Sequence, residues 1–194
     1  DLTVQHLAAG RVQLVVVGGL PGTGKSTLAG GIGDVLGAVV LRSDVVRKEL
    51  VGADSGAAAT PDDGEVPFGH GVYTAETTDL TYGELVARAR IALSHGESVV
   101  LDASWHDAAR RKTARDLARE TVADLTEIHC VAPLEITVAR LTARAVRGGD
   151  PSDATPSVSH AMAAVEAAWP EAVELDTTGT EAATLGVVRA RLEG

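Results

Sequence analysis

The sequence predicts an α/β fold built on a parallel sheet, and three observations carry that expectation. Short apolar runs alternate with longer segments of helical period along most of the chain. The first run, Val12–Val17, passes straight into a glycine-rich turn and then a helical pattern, which reads as a strand–turn–helix unit. The first run is also Val-rich rather than alternating, as strands are when both faces of a sheet are covered.

The elements follow in order. Strands are expected at Val12–Val17, Ala38–Leu41, Ser98–Leu101, Leu125–Ala132 and Ala172–Leu175. Helices are expected at Ser26–Leu36, after Ser43 as N-cap, around the apolar face Leu85, Val86, Ala89 and Leu93, and at His106–Glu120. Three more are expected at Leu134–Val146, at Val158–Trp169 and at Glu181–Leu192, the second with Thr155 or Ser157 as cap and Pro156 near its start. In the His106–Glu120 helix, Arg110, Arg111, Lys112, Arg115 and Arg119 read most simply as an exposed basic face. Two segments lack any period. One, at about 52–72, is expected to be an irregular, substrate-facing loop. The other, Gly148–Pro156, joins two helices within a lid at about 140–157.

Composition sets outer bounds. The chain has 194 residues, 45% of them hydrophobic and 23% charged, which fits one folded domain rather than a disordered or fibrous chain. Its single cysteine, Cys130, leaves no partner for an internal disulfide and reads as a small buried hydrophobe. No apolar run approaches the ~20 residues of a membrane span. Residues 1–10 lack the basic start and apolar core of a signal peptide, so a cytoplasmic setting is expected. The first residue is Asp1 rather than Met, which suggests a piece of a longer chain. The net charge is −10, and Gly52–Glu84 and Gly148–Gly186 each carry seven acids and no Lys or Arg. Nucleic-acid binding usually needs a net basic footprint, and Phe68, Tyr73, Tyr82, Trp105 and Trp169 are too few for a base-stacking platform.

The most specific motif is Gly19–Ser26, GLPGTGKS, which fits G-x-x-x-x-G-K-[ST] in the context of a strand before and a helix after. Leu20, Pro21, Gly22, Thr23 and Gly24 form a turn whose N–H groups can point at phosphate oxygens. The new helix, with Lys25, Ser26 and Thr27 in its first turn, adds its positive end. Lys25 is placed to bridge the β- and γ-phosphates, and the Ser26 hydroxyl to hold Mg²⁺.

The next strand ends LRSDVVR, which puts Asp44 at the C-terminal edge of the sheet, where ligands bind in parallel folds. Asp44 and Arg47 share a helix face. They can act as a general base and an acceptor-holding arginine, or as a dipole-stabilising acid with its salt-bridge partner. The third strand ends in Asp102, which can order Mg²⁺ or bond loop backbone. Arg140, Arg144 and Arg147 lie on one face of a helix, and three like charges there suit either a lid over a triphosphate or a solvated helix end. Asp150, Ser152 and Asp153 can be structural in that lid. The six histidines show no ligand spacing, so no metal beyond Mg²⁺ is expected.

The stretches GGLPGTGKSTLA, VLRSDVVRKEL, GESVVLDASWHDAARR, VAPLEITVARLTAR and GGDPSDA resemble the small P-loop kinase domains of the AAA-type ATP-binding group. That group is related to the 5′-kinase domain of phage polynucleotide kinase, to zeta toxins and to gluconate and shikimate kinases. The chain is also similar to the C-terminal domain of bacterial proteins whose N-terminal half is aminoglycoside-phosphotransferase-like. The resemblance covers roughly Leu14–Leu192. It implies a three-layer αβα P-loop NTPase fold, with a five-stranded parallel sheet in the order 2-3-1-4-5 and a helical lid, all within residues 1–194. It implies Asp44 as general base, Arg47 as the acceptor arginine and Asp102 as the strand-end carboxylate. Arg140 and the loop Asp176–Gly179, with Thr177 and Thr178, would lie near the base, and Arg144 or Arg147 would be the lid arginine. Ser104 stands where polynucleotide kinases often have Asn.

The function expected is that of an Mg²⁺-dependent kinase moving the γ-phosphate of ATP, or of GTP, to a hydroxyl of a small acceptor. The alternatives are a nucleotide-hydrolysing regulatory module of a larger protein and a polynucleotide 5′-hydroxyl kinase.

Overall fold

The structure is a computed structural model that describes residues 11–55, 74–147 and 154–192. The elements run β1 (Gln13–Gly18), α1 (Lys25–Leu36), β2 (Val39–Arg42), α2 (Ser43–Ser55), α3 (Ala75–Ser94), β3 (Val99–Asp102) and α4 (Ala108–Thr121). They continue with β4 (Asp124–Val131), α5 (Leu134–Arg147), α6 (Pro156–Ala163), β5 (Val173–Asp176) and α7 (Glu181–Leu192). The five strands form one sheet in the order β2-β3-β1-β4-β5, with every neighbouring pair parallel. This is the α/β architecture expected, and it puts the C-terminal ends of all five strands along one edge.

Strand geometry explains the layers. Successive side chains of a strand point to opposite faces. In β1, Leu14 and Val16 enter one core, with Leu85, Leu101, Trp105 and Leu117. Val15 and Val17 enter the other, with Leu28, Ile32, Ile128 and Val188. Helices α2, α3 and α4 therefore cover the first face, and α1 and α7 the second. All four β1 side chains are fully buried, each worth roughly 1.5–3 kcal/mol of transfer free energy. Helix α1 packs so closely that a Cβ on Gly33 would collide with the Val40 side chain. Among the described residues no helix is long and apolar enough to cross a membrane.

Four expectations are corrected. Helix α2 follows β2 without a connecting residue, so Ser43 is its first helical residue rather than a cap. The same helix runs to Ser55, so residues 52–55 are helical and not loop; the rest of the expected loop, to about 72, lies outside the described residues. So do Asp150, Ser152 and Asp153 of the lid.

Helix α6 ends at Ala163, short of the expected Trp169. Tertiary bonds win there: the Ala167 N–H donates to the His106 carbonyl (3.0 Å), and Trp169 Nε1 donates to Glu127 Oε1 (3.2 Å). The fourth correction is Arg111. It is 2% exposed rather than on an open basic face, and its guanidinium donates to the carbonyls of Trp105, His106, Ala167 and Ala168 at 2.6–3.4 Å. Thr155 caps α6 as expected, with Oγ1 accepting from the Val158 N–H (3.4 Å) and Pro156 at the start.

Candidate active site

The turn after β1 is built by glycines in the left-handed region, with φ of 136° at Gly19, 85° at Gly22 and 81° at Gly24. A Cβ on Gly22 would stand 2.7 Å from the Thr137 carbonyl oxygen, so α5 packs directly on the turn. Gly24 is the N-cap of α1 and has no side chain to occupy the first N–H groups of that helix. Those donors and the helix dipole are left for an anion. The turn is braced from inside. Thr23 is buried, and both its N–H and its Oγ1 donate to the Leu20 carbonyl (3.3 and 2.8 Å).

A cavity of about 730 Å³ opens over this helix start. Gly22, Gly24, Lys25, Ser26 and Thr27 form one wall, Arg140, Arg144 and Arg147 of α5 another, and Thr177 and Gly179 after β5 a third. Arg140 fastens two of these walls together. Its Nη2 donates to the Thr177 carbonyl (2.6 Å), and its Nη1 reaches the Gly22 carbonyl (3.4 Å). Thr177 Oγ1 bonds the Thr23 carbonyl at 2.6 Å, so the strand-end loop holds the phosphate turn in place. Arg144 Nη2 donates to the Ala154 carbonyl (2.8 Å), and Arg147 is exposed with Nε on the Ala143 carbonyl (3.4 Å).

Not every expected residue lines this cavity. Leu20, Pro21, Thr23 and Thr178 do not; Thr178 is exposed, with its N–H on Asp176 Oδ1 (2.7 Å). Asp176 is held below the usual carboxylate range by that N–H bond. The wall also includes Arg42, which the sequence reading passed over. Its signal was available in the pairing of parallel strands, since Arg42 is the register partner of Asp102 and its Nε lies 3.3 Å from Asp102 Oδ2.

Asp102 is 3% exposed. Burial pushes its carboxyl above the usual range, against the lowering effects of Lys25, Ser26 and Arg42, while Asp44 adds to the rise. Its Oδ1 is buried and has no hydrogen-bond partner among the described residues. A buried acid with one orphaned oxygen beside a serine hydroxyl fits a divalent cation held directly or through water. Among the described residues no three His, Cys, Asp or Glu side chains gather to hold a metal alone. That donor set suits Mg²⁺, which takes one or two protein ligands with phosphate and water.

A second, smaller cavity of about 50 Å³ adjoins the first, and Lys25 lines both. Asp44 and Arg47 stand on one side, paired at 2.8 Å with side chains 19% and 10% exposed. Pro21, Val158 and Met162 close it with apolar surface. The Ser159 hydroxyl donates to the Pro21 carbonyl (3.2 Å), which fixes α6 to the phosphate turn. Tyr82, Ser104 and His106 also line it. Tyr82 Oη is 3.1 Å from Ser104 Oγ, which is 2.9 Å from His106 Nδ1. Burial and Arg110 together lower the His106 pKa. Neither Tyr82 nor His106 stood out in the sequence, because nothing local links residues 22 or more apart.

Three comparisons bear on this arrangement. The family profile described as AAA domain matches residues 14–168. A relative from Mycobacterium tuberculosis (strain ATCC 25618 / H37Rv), an uncharacterized protein, is 37% identical over 187 residues, 95% of this chain. An uncharacterized protein of Mycobacterium bovis matches equally well. The chain spans 36% of the length of these relatives.

Among solved structures, a sugar kinase from Janibacter sp. HTCC2649 superposes with a TM-score of 0.67 at 19% identity, covering 94% of this chain and 95% of its own. The APS kinase of Mycobacterium tuberculosis, in complex with AMPPNP and APS, gives 0.66 at 21%, covering 95% and 99%. A gluconokinase from Sinorhizobium meliloti gives 0.60 at 18%, covering 94% and 91%. With the strand order, the glycine turn and these matches together, the chain belongs to the AAA-domain family and has the fold of the small P-loop kinases.

Proposed function

We propose that the chain is an Mg²⁺-dependent kinase that transfers the γ-phosphate of ATP, or of GTP, to a hydroxyl of a small acceptor. The observation that carries this reading is the shared wall: Lys25 borders both the large cavity over the helix start and the small one at Asp44. A phosphoryl donor in the first would meet an acceptor in the second at that ammonium.

The roles follow from chemistry. The N–H groups of Gly22–Thr27 and Lys25 bind the phosphates, and Arg140 and Thr177 form the base-side wall. Arg144 and Arg147 counter the charge on the transferring group. Ser26 and Asp102 would hold Mg²⁺, which when bound neutralises phosphate charge. Asp44 accepts the proton of the attacking hydroxyl, and Arg47, already paired with it, orients that carboxylate and the acceptor. A bare nucleotide switch does not require an acid–arginine pair in an adjoining cavity.

The test uses labelled ATP with Mg²⁺ and a panel of small hydroxyl compounds and oligonucleotides. Label is expected in a small compound. Slow phosphate release that no acceptor stimulates would instead favour a regulatory module of a longer protein. Asp44→Asn, which leaves Arg47 a polar partner, should cut transfer by about 10²–10⁴-fold with nucleotide affinity within about threefold. Lys25→Ala should weaken triphosphate binding itself, by at least about tenfold in calorimetry. Equal losses of affinity and transfer in Asp44→Asn would contradict its assignment.

A further inference from the structure

The small cavity sets an apolar wall beside the Asp44–Arg47 pair, and phosphoryl transfer as such needs no wall of that kind. Pro21 of the phosphate turn and Val158 and Met162 of α6 supply it, with Ala154 just ahead of that helix. Val158 and Met162 are four residues apart and so share a helix face. They are 1% and 7% exposed, which means that they are packed from behind and have little room to yield.

The wall is also fixed to the turn that would grip the donor. Next to Val158, the buried Ser159 donates its hydroxyl to the Pro21 carbonyl (3.2 Å). The Ala154 carbonyl accepts from Arg144 Nη2 (2.8 Å), and Arg144 lines the large cavity. The start of α6 is therefore tied to both the phosphate turn and α5, and its apolar face keeps one distance from them. A packed wall that cannot retreat discriminates by size, because added atoms force strained side chains or backbone shifts.

The space beside that wall is small. A volume of about 50 Å³ takes about three to five water-sized groups. That is room for a reacting hydroxyl, its carbon and little else. The carbon of a primary alcohol bears two hydrogens and one further substituent, which can trail out of the cavity. The carbon of a secondary alcohol bears a second branch, and that branch has to press on the wall.

We infer that Val158 and Met162 are specificity-determining residues that gauge the carbon bearing the reacting hydroxyl, and that the acceptor is a primary alcohol. The inference rests on the kinase reading and adds the acceptor class to it. In the step, the oxygen of the CH₂–OH group bonds the γ-phosphorus as the bond from that phosphorus to the β,γ-bridging oxygen breaks. The hydroxyl proton passes to Asp44, and the nucleoside diphosphate leaves with the electron pair.

Kinetics with ATP and Mg²⁺ would use matched acceptors: serine against threonine, and sugars, sugar acids and nucleosides each against the analogue that lacks its primary hydroxyl. The product is read by ³¹P NMR, where phosphorus on a primary oxygen is split by two protons and on a secondary oxygen by one. The wild type should form primary phosphate esters, with secondary alcohols at least about tenfold slower. Met162→Ala should narrow that ratio at least about fivefold and leave the nucleotide Kd within about twofold. Met162→Phe, which adds bulk at the same place, should raise KM for the primary alcohol about tenfold. Where Met162→Ala loses nucleotide binding, Val158→Ala reads the same ratio with only two methyl groups removed.

A wild-type product whose phosphorus is split by one proton would overturn the inference and leave the kinase reading intact. So would a primary-to-secondary ratio that stays unchanged in variants that still bind nucleotide. Transfer to no compound at all would remove the kinase reading and this inference together.

Discussion

Cys130 and Asp102 show how one physical cost, burial in a low-dielectric interior, acts differently on two side chains near Lys25. The Cys130 thiol is fully buried in the core beneath the phosphate turn. Burial pushes its pKa up to about 12, against the lowering pull of Lys25. At neutral pH the thiolate is essentially absent, so thiol reagents should modify native protein only as fast as it unfolds. Labelling with a chromogenic disulfide should be negligible in buffer and complete in denaturant; a fast native phase would show the sulfur reachable. Asp102 also resists ionisation, but its orphaned oxygen gives burial a use. Asp102→Asn removes a buried charge and the proposed cation ligand together. The variant should melt no lower than wild type without nucleotide, while needing about tenfold more Mg²⁺ for half-maximal activity. A lower melting temperature with an unchanged Mg²⁺ requirement would make Asp102 a structural partner of Arg42 instead.

At the scale of elements, the site depends on how α6 and the residues after it are tied down. Arg111 joins the β3–α4 connection to residues 167 and 168 through four carbonyls, with its guanidinium also 5.1 Å from the Trp169 ring centroid. Arg111→Met should destabilise the fold by about 2–4 kcal/mol, read as a lower denaturation midpoint, because buried carbonyls lose their donor. A midpoint within error of wild type would mean that water replaces the guanidinium without cost.

Sequence could not reveal this tie. Arg111 sits in a run of basic residues whose spacing suits an exposed face, and only the return of residues 167 and 168 past the helix start buries it. The same cause shortened α6, since helical period at Val158–Trp169 competes with hydrogen bonds to the β3–α4 connection, 61 residues away at His106. What local sequence does decide was legible. The unbroken apolar runs of β1 and β3 marked strands covered on both faces, and GLPGTGKS marked the turn, because its glycines satisfy a local backbone requirement. Asp44 and Arg47 were readable as a pair from helix periodicity. The Tyr82–Ser104–His106 line was not, because it exists only after α3 packs against the end of β3.

For the molecule as a whole, charge and aromatic content decide between small and polymeric acceptors. The chain carries a net charge of −10. A polynucleotide would bring its own charge to this surface, and each neutralised phosphate normally contributes to affinity through counterion release. Apart from Lys25, Arg140, Arg144 and Arg147, which line the large cavity, several cations around the site are ion-paired: Arg47 to Asp44, Arg110 to Asp79 and Arg42 to Asp102. Both tryptophans are buried and so cannot serve as stacking platforms. A 5′-hydroxyl oligonucleotide should therefore bind with a Kd no tighter than about 100 μM near physiological salt, and affinity should change little between 50 and 200 mM salt. Fluorescence anisotropy with a labelled 12-mer would measure both. A logarithmic salt slope steeper than about −3 would mean that several phosphates are neutralised at once. The polynucleotide kinase reading would then displace the small acceptor, since no small acceptor can produce that slope.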